Sequence, residues 1–178
     1  MSFFSKVYES DVGPLMIISD HNSLCLLKFY DPNRPINQIF FENKNQTKSN
    51  EIIDLTINQI EEYFSGSRKV FKIPITYCYG TDFQKKVWNE LITVKYGETR
   101  SYLDIANSIG NPKSYRAVGN ANNKNPISII IPCHRIISNS GKLSGYGGGI
   151  EKKKFLFCLL YTSPSPRDAT LSRMPSYA

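Results

Sequence analysis

Residues 129–137 read Ile-Ile-Ile-Pro-Cys-His-Arg-Ile-Ile, so a thiol, an imidazole and a guanidinium stand inside an apolar run. The flanking isoleucines predict a buried, β-type segment. Two interpretations of its centre are open: Cys133 is a buried structural cysteine beside a hydrogen-bonded His134, or it is a nucleophile. The second has a chemical basis, because a nearby base or cation lowers the pKa of a thiol and both His134 and Arg135 follow directly.

Composition limits the classes of protein to consider. The chain has 178 residues, 40% of them hydrophobic and 12% aromatic, which is typical of one or two small globular domains. It has no apolar run of about 18 residues and no signal-peptide pattern, so we expect no membrane association and a cytoplasmic location, or a nuclear one in a eukaryote. Its four cysteines form no Cys-x-x-Cys pair and have only two histidines to accompany them. We therefore expect reduced thiols, no metal site and no cofactor.

Positive charge is concentrated in the second half of the chain. Residues 1–80 carry eight Lys/Arg and nine Asp/Glu, whereas residues 81–157 carry twelve and five, within a net charge of +7 for the whole chain. This asymmetry favours contact with a polyanion, of which nucleic acid is the most common. The alternative is a basic face that is merely solvated.

The first part of the chain predicts a small α/β unit without an evident site. Residues 3–9 and 14–19 predict a β-hairpin, and residues 23–30 predict a third strand. After a polar loop at residues 43–50, apolar residues recur at helical spacing from Glu51 to Phe64. A short strand is predicted from Val70 to Ile75.

The second part predicts three helices. The first follows a cap at Thr81 or Asp82 and places Trp88 on its apolar face, as a core residue. The second runs from about Ser101 to Ile109 and the third from about Lys113 to Asn122, joined by a Gly-Asn-Pro turn. Two short helices with such a turn are typical of a helix-turn-helix, and small residues on the third would let its backbone approach a nucleic-acid groove.

Several short motifs occur in order along this second part. They are Gly-Thr-x-Phe-Gln at 80–84, Val87-Trp88, Tyr-Gly-Glu-Thr at 96–99, Tyr102, Arg-Ala-Val-Gly at 116–119, Asn125-Pro126, Ile-Pro-Cys-His-Arg at 131–135, Gly-Tyr-x-Gly-Gly at 145–149, and Lys153. The set resembles the O6-alkylguanine-DNA alkyltransferases, also called methylated-DNA–protein-cysteine methyltransferases. The resemblance covers residues 6–157, weakly up to residue 75 and strongly from residue 80. With it, the nucleophile interpretation of Cys133 becomes the favoured one.

The resemblance implies both a fold and a reaction. The fold is α/β (α+β), with a small ribonuclease H-like domain at residues 1–78 and a mostly helical, winged helix-turn-helix-like domain at residues 79–157. A monomer would bind double-stranded DNA through the minor groove and flip out an O6-alkylguanine, and the same chemistry extends to O4-methylthymine. The alkyl group would then move to Cys133 as a stable thioether, so each molecule would act once.

The resemblance also assigns residue roles. Cys133 is the acceptor, His134 the base that promotes its thiolate, Asn125 a hinge between recognition helix and active segment, and Tyr102 a donor to the departing guanine. Arg116 enters the duplex and fills the gap left by the flipped base. The remaining DNA contacts are Ala117, Gly119, Asn123 and Arg135. The substrate pocket is formed by Tyr102, Asn122, Ile136, Tyr146, Gly147 and Gly148.

The end of the chain departs from the family pattern. From Cys158 it reads Cys-Leu-Leu-Tyr-Thr-Ser-Pro-Ser-Pro-Arg-Asp and, further on, Leu-Ser-Arg-Met-Pro-Ser, which resembles a translated sequencing-library adapter. We therefore predict that residues 158–178 are a non-native, disordered tail that packs nowhere. In the O6-alkylguanine-DNA alkyltransferases the last helix continues into a glutamate that orients the histidine corresponding to His134. The matching position here is Leu160, so this chain is expected to activate Cys133 less well.

Two other functions remain as alternatives. A non-catalytic protein that binds alkylated DNA would lack the acceptor, which the presence of Cys133 disfavours. A helix-turn-helix regulator would be expected to dimerise and to read a sequence in the major groove.

Overall fold

The computed structural model describes residues 2–33, 49–143 and 145–161. The first part contains an antiparallel sheet in the order β1 (Phe4–Ser10), β2 (Gly13–Ser19), β3 (Leu24–Phe29). Helix α1 (Glu51–Phe64) begins at Asn50, whose side chain accepts a hydrogen bond from the Ile53 N–H. The predicted hairpin, third strand and helix are therefore confirmed, and most of the loop predicted at residues 43–50 lies outside the described residues.

The predicted strand from Val70 to Ile75 is wrong except at its last residue. Ile75 forms an isolated parallel bridge with Leu24 of β3. Pro74 has no N–H to give to a ladder, although its carbonyl accepts the Leu24 N–H at 2.8 Å. The preceding residues are held instead by the Gln59 amide, which bonds both the N–H and the carbonyl of Lys72.

The second part is mostly helical. Its helices are α2 (Asp82–Ile92), α3 (Tyr102–Ser108), α4 (Tyr115–Asn123) and α5 (Ile150–Cys158), and its parallel two-stranded sheet pairs β4 (Arg100–Ser101) with β5 (Ile136–Ile137). Thr81 and Gln84 form a capping box at the start of α2. Trp88 is fully buried, and its indole N–H donates to the Ala121 carbonyl of α4 at 2.8 Å.

The helix-turn-helix prediction is confirmed by α3 and α4. The turn between them uses Gly110, whose φ of +74° is readily adopted only by glycine, and a 3₁₀ turn at Pro112–Ser114. Helix α4 packs through Val118 and Ala121, so its opposite side is left at the surface.

The stretch at residues 129–137 is buried as predicted, but only Ile136–Ile137 is a strand. Tight turns replace the rest of the expected strand: the Ile131 N–H bonds the Ile127 carbonyl and the Cys133 N–H bonds the Ile131 carbonyl. Ile129 has a φ of +73°, a strained conformation for a β-branched residue. Cys133–Arg135 then forms a single 3₁₀ turn.

The two parts are joined through β3. Its Leu27 donates to the Pro126 carbonyl at 3.0 Å and accepts from the Ser128 N–H at 2.8 Å. The same hydrophobic cluster includes Leu27 of the sheet and Trp88 and Ile131 of the helical part. The sheet is thereby held directly against the segment that leads to Cys133.

The expectation that the tail packs nowhere is wrong for its first residues. Leu160 is 7% exposed, and Leu159 packs on the core while its carbonyl accepts the Tyr96 hydroxyl at 2.5 Å. Packing therefore continues beyond residue 158, because apolar residues there extend the buried side of α5. Residues 162–178 lie outside the described residues. Among the residues described, no helix has both the length and the apolar character needed to cross a membrane.

Candidate active site

Cys133 lines a small cavity between the two parts of the protein. The thiol residue is 3% exposed and follows Pro132 at the start of the 3₁₀ turn. The cavity has a volume of about 60 Å³. It is lined by Lys28, Phe29, Asn122, Asn123, Asn125, Ser128, Cys133, Tyr146, Gly147 and Gly148. Cys133 is the only cysteine among them, so it is the candidate nucleophile of this site.

Two asparagine side chains fix Cys133 relative to α4. The Asn125 amide donates to the Ile131 carbonyl at 2.9 Å and its oxygen accepts the Ile127 N–H at 2.9 Å. The Asn122 amide donates to the Cys133 carbonyl at 3.4 Å. Both side chains are buried, so these bonds tie the end of α4 to the turn that carries the thiol.

The surroundings of Cys133 have opposing effects on the pKa of its thiol. Burial raises the pKa of its thiol, while the Asn125 amide, the Lys153 ammonium and the Tyr146 hydroxyl lower it. Lys153 is fully buried on α5, and its ammonium donates to the Ile136 carbonyl at 2.6 Å. Burial lowers the pKa of Lys153 to about 8, against a smaller raising effect of Cys133. The thiolate therefore has a nearby cation despite its burial.

His134 is also buried, and its electrostatic surroundings favour the neutral form. Burial is the main cause that lowers the pKa of His134 well below its usual value, and Arg135 and Lys153 add to it. Its Nε2 lies 3.4 Å from the Tyr63 hydroxyl. Among the described residues, no hydrogen-bond partner reaches its Nδ1. The ring is therefore unprotonated and can accept a proton, but the lowered pKa makes it a weaker base than a solvent-exposed histidine.

A stripe of α4 leads across the surface to the cavity. Arg116, Gly119 and Asn123 are three and four residues apart, so they lie on one side of the helix. Arg116 and Ala117 are exposed, and Asn123 is both exposed and part of the cavity wall. Tyr102 packs beside Gly119, where a Cβ would lie 3.8 Å from the Tyr102 ring.

The structure places four of the six predicted pocket residues on the cavity wall: Asn122, Tyr146, Gly147 and Gly148. Ile136 is wrong as a wall residue, because it is fully buried in β5 and its carbonyl holds Lys153. Tyr102, the first residue of α3, is not part of the wall either; its ring lies beside Gly119 of α4.

The structure contradicts the prediction that Arg135 contacts DNA. Arg135 is 5% exposed, its guanidinium donates to the Val94 carbonyl at 2.8 Å, and it lies over the Tyr96 ring. These contacts join the 3₁₀ turn to the end of α2 and keep the arginine away from the α4 surface.

Sequence reasoning missed two wall residues that come from the first part of the chain. Lys28 and Phe29, at the end of β3, line the cavity together with Cys133. The Phe29 ring stands edge-on to Tyr146 at 5.9 Å. The only signal in the sequence is a lysine inside the otherwise apolar strand at residues 24–29, and nothing local relates it to Cys133, which is far away along the chain.

Phe29 and Gly148 give a testable contact at the cavity wall. A Cβ on Gly148 would lie 2.3 Å from the Phe29 ring, so we expect Gly148→Ala to displace Phe29, lower stability by about 1–3 kcal/mol and slow any reaction of Cys133. Thermal unfolding and the rate of Cys133 modification would measure both effects. The control is Gly147→Ala, whose Cβ would meet only the Asn123 carbonyl at 3.4 Å. Adding Phe29→Ala to Gly148→Ala should remove the clash, and failure to recover would contradict this account of the wall.

Comparisons with known proteins place the chain in a family. A family model described as 6-O-methylguanine DNA methyltransferase, DNA binding domain, matches residues 82–159, and one described as the ribonuclease-like domain of that methyltransferase matches residues 4–77. The methylated-DNA–protein-cysteine methyltransferase of Methanosarcina acetivorans is 42% identical over 88% of this chain and 97% of its own length. The protein of that name from Mycobacterium tuberculosis strain H37Rv is 41% identical over 93% of this chain and 96% of its own length.

Solved structures agree with the sequence relatives. The crystal structure of Mycobacterium tuberculosis O6-methylguanine methyltransferase matches with a TM-score of 0.79 and 38% identity, over 93% of this chain and 96% of that one. The structure of Mycobacterium tuberculosis OGT in complex with DNA matches with a TM-score of 0.77 and 38% identity, over 90% and 92% of the two chains. The predicted fold class is confirmed. The family implied by the motifs is confirmed as well: the chain belongs to the 6-O-methylguanine DNA methyltransferases, the methylated-DNA–protein-cysteine methyltransferase family.

Proposed function

We propose that this protein repairs O6-methylguanine in double-stranded DNA by moving the methyl group to the sulfur of Cys133. The observation that carries the proposal is the position of this thiol in a cavity at the end of the exposed α4 stripe. The names of the relatives and the DNA complex of the Mycobacterium tuberculosis protein support the same activity.

The reaction is a displacement at the methyl carbon. The Cys133 thiolate attacks that carbon, the bond from carbon to O6 breaks, and its electron pair stays on the guanine, which takes up a proton. The product on the protein is a neutral thioether, a poor electrophile, so each molecule acts once. O4-methylthymine presents the same kind of alkyl–oxygen bond and is a second expected substrate.

Residues around Cys133 would assist this step in different ways. Neutral His134 is the base that takes the thiol proton, and Lys153 helps to hold the resulting charge. Asn125 keeps the turn in register with α4. Tyr102, beside Gly119 on the α4 surface, would contact the target nucleotide as it leaves the duplex.

The α4 stripe would bind the minor groove without reading a sequence. Minor-groove patterns are degenerate, which suits a protein that must find lesions in any context. Ala117 and Gly119 leave space for the sugar-phosphate backbone, Asn123 lines the entrance to the cavity, and Arg116 would fill the gap in the base stack. We propose that the protein acts as a monomer in the compartment that holds the DNA, the cytoplasm of a prokaryotic cell or a eukaryotic nucleus.

The proposal is tested on the DNA product. A duplex with one O6-methylguanine in a restriction site that methylation blocks should become cleavable after incubation with the protein, because direct transfer regenerates guanine. A Cys133→Ser variant is the matched control. A duplex that stays resistant to the restriction enzyme while the protein remains bound would favour the non-catalytic binder. A strand break or an abasic site at the lesion would also contradict the proposal.

Arg116→Ala should weaken repair of duplex DNA specifically. Without the inserted guanidinium, the unstacked state costs a few kcal/mol more, so we expect single-turnover transfer from duplex DNA to slow about tenfold or more. Transfer from the free base O6-methylguanine, which needs no flipping, should be unchanged. Lys113→Ala, in the turn before α4, is the control for a simple loss of charge. Equal slowing on both substrates would contradict the assigned role.

A further inference from the structure

Lys28 is brought to the Cys133 cavity by the docking of β3. Its neighbour Leu27 is hydrogen-bonded on both sides to the Pro126–Ser128 segment, which fixes the register of the strand against the active-site segment. The next residue, Phe29, packs on Gly148. Lys28 therefore lies between two anchored residues, at the junction of the cavity with a larger groove of about 1050 Å³ that it also lines.

Of the described residues that line the cavity, Lys28 is the only one with a formal charge. Burial lowers its pKa, and the charge of Cys133 raises it. The other titratable groups around Cys133 come from different elements: Tyr146 lies in the wall, His134 and Arg135 follow in the same turn, and Lys153 lies behind on α5. Asp31, Lys124 and Lys152 share only the larger groove with Lys28.

Two lysines, Lys153 and Lys28, approach Cys133 from different parts of the fold. Lys153 is fully buried and donates to the Ile136 carbonyl, so it approaches the thiol from the interior of the helical part. Lys28 approaches from the sheet, on the wall that faces the cavity. A thiolate on a side chain that is 3% exposed is poorly solvated, and a second ammonium group on the cavity wall would compensate for the lost hydration.

We propose that Lys28 is a positioning residue of the alkyl-transfer site, whose ammonium group stabilises the Cys133 thiolate from the N-terminal sheet. This inference rests on the proposed function and extends it, because the first part of the chain then contributes to the chemistry as well as to packing. Lys28 acts through Cys133 and is not assigned a contact with the alkylated base.

The test measures the reactivity of Cys133 in the free protein. Iodoacetamide alkylation is followed against pH by mass spectrometry of the Cys133 peptide, which separates it from the exposed Cys158. We expect Lys28→Gln to slow alkylation of Cys133 about tenfold at neutral pH and to move its pH profile to higher pH, since each pKa unit changes the thiolate fraction tenfold. Lys28→Arg should retain most of the parental rate.

Lys152→Gln is the matched control, because the Lys152 ammonium lies 4.4 Å from the centroid of the Phe29 ring and Lys152 does not line the cavity. It should leave the pH profile unchanged. A misfolded Lys28→Gln variant would expose Cys133 and speed its alkylation, which is opposite to the expected result. Unchanged alkylation with weaker, salt-sensitive DNA binding would overturn the inference and make Lys28 a phosphate contact. Because this assay contains no DNA, failure of the parental protein to accept a methyl group from DNA would be a separate result, against the proposed function.

Discussion

A Cys133→Ala variant is expected to take up no methyl group from alkylated duplex DNA and still to bind the lesion. Cys133 is the only cysteine on the wall of the cavity, and the α4 surface that would contact DNA does not depend on its sulfur. Cys25 and Cys78 belong to a separate cluster on the other side of the sheet, and Cys158 is exposed at the end of α5. None of these three thiols is positioned to replace it.

Methyl uptake by Cys133→Ala is measured with a radiolabelled duplex in a single turnover, and binding is measured by fluorescence anisotropy on the same sequence. Cys158→Ala is the matched control and should take up methyl at the parental rate. Uptake that persists in Cys133→Ala, or that disappears in Cys158→Ala, would contradict the assignment of the acceptor.

Leu160→Glu is expected to increase the rate of methyl transfer about tenfold or more, as an oriented general base can. The Nδ1 of His134 has no partner among the described residues, and Leu160 is buried on the same side of the chain end as Lys153 and Leu156. Residues 153, 156 and 160 are spaced by three and four, so they lie on one side of α5 and its extension. Lys153 on that side already reaches the Ile136 carbonyl, so a carboxylate at 160 would face the turn that carries His134. Accepting the Nδ1 proton would hold the tautomer whose Nε2 carries no proton and raise the pKa of His134.

Leu160→Gln is the matched variant, because it has the shape of glutamate without the charge. We expect it to give a smaller gain than Leu160→Glu in single-turnover methyl uptake. Thermal unfolding of both variants controls for the cost of a buried polar group. A Leu160→Glu protein that is as stable as the parent and no faster would contradict the idea that a carboxylate is missing from the site.

Local sequence patterns predicted the helical part well. The capping box at Thr81, the apolar face that buries Trp88, and the glycine turn between α3 and α4 each depend on residues close together in the chain. The adjacent thiol, imidazole and guanidinium at 133–135 made Cys133 a candidate nucleophile, and the resemblance of the surrounding motifs to the family made that interpretation the favoured one.

Contacts between distant residues were not predictable in this way. Lys28 and Phe29 reach the cavity because Leu27 docks on the Pro126–Ser128 segment, a pairing that no periodicity in β3 indicates. The resemblance assigned Arg135 to DNA, yet its hydrogen bond to the Val94 carbonyl and its contact with the Tyr96 ring hold it inside. A local motif identifies reactive residue types, but the direction in which each side chain points depends on tertiary packing.

Stoichiometric transfer to Cys133 is tested most directly by the intact mass of the protein after mixing with an excess of duplex DNA that contains one O6-methylguanine. We expect a gain of a single methyl group per molecule, located on the Cys133 peptide, with no further turnover however much substrate remains. A protein that gains no methyl, that carries it on Cys25, Cys78 or Cys158, or that repairs more lesions than there are protein molecules would exclude Cys133 as a single-use acceptor.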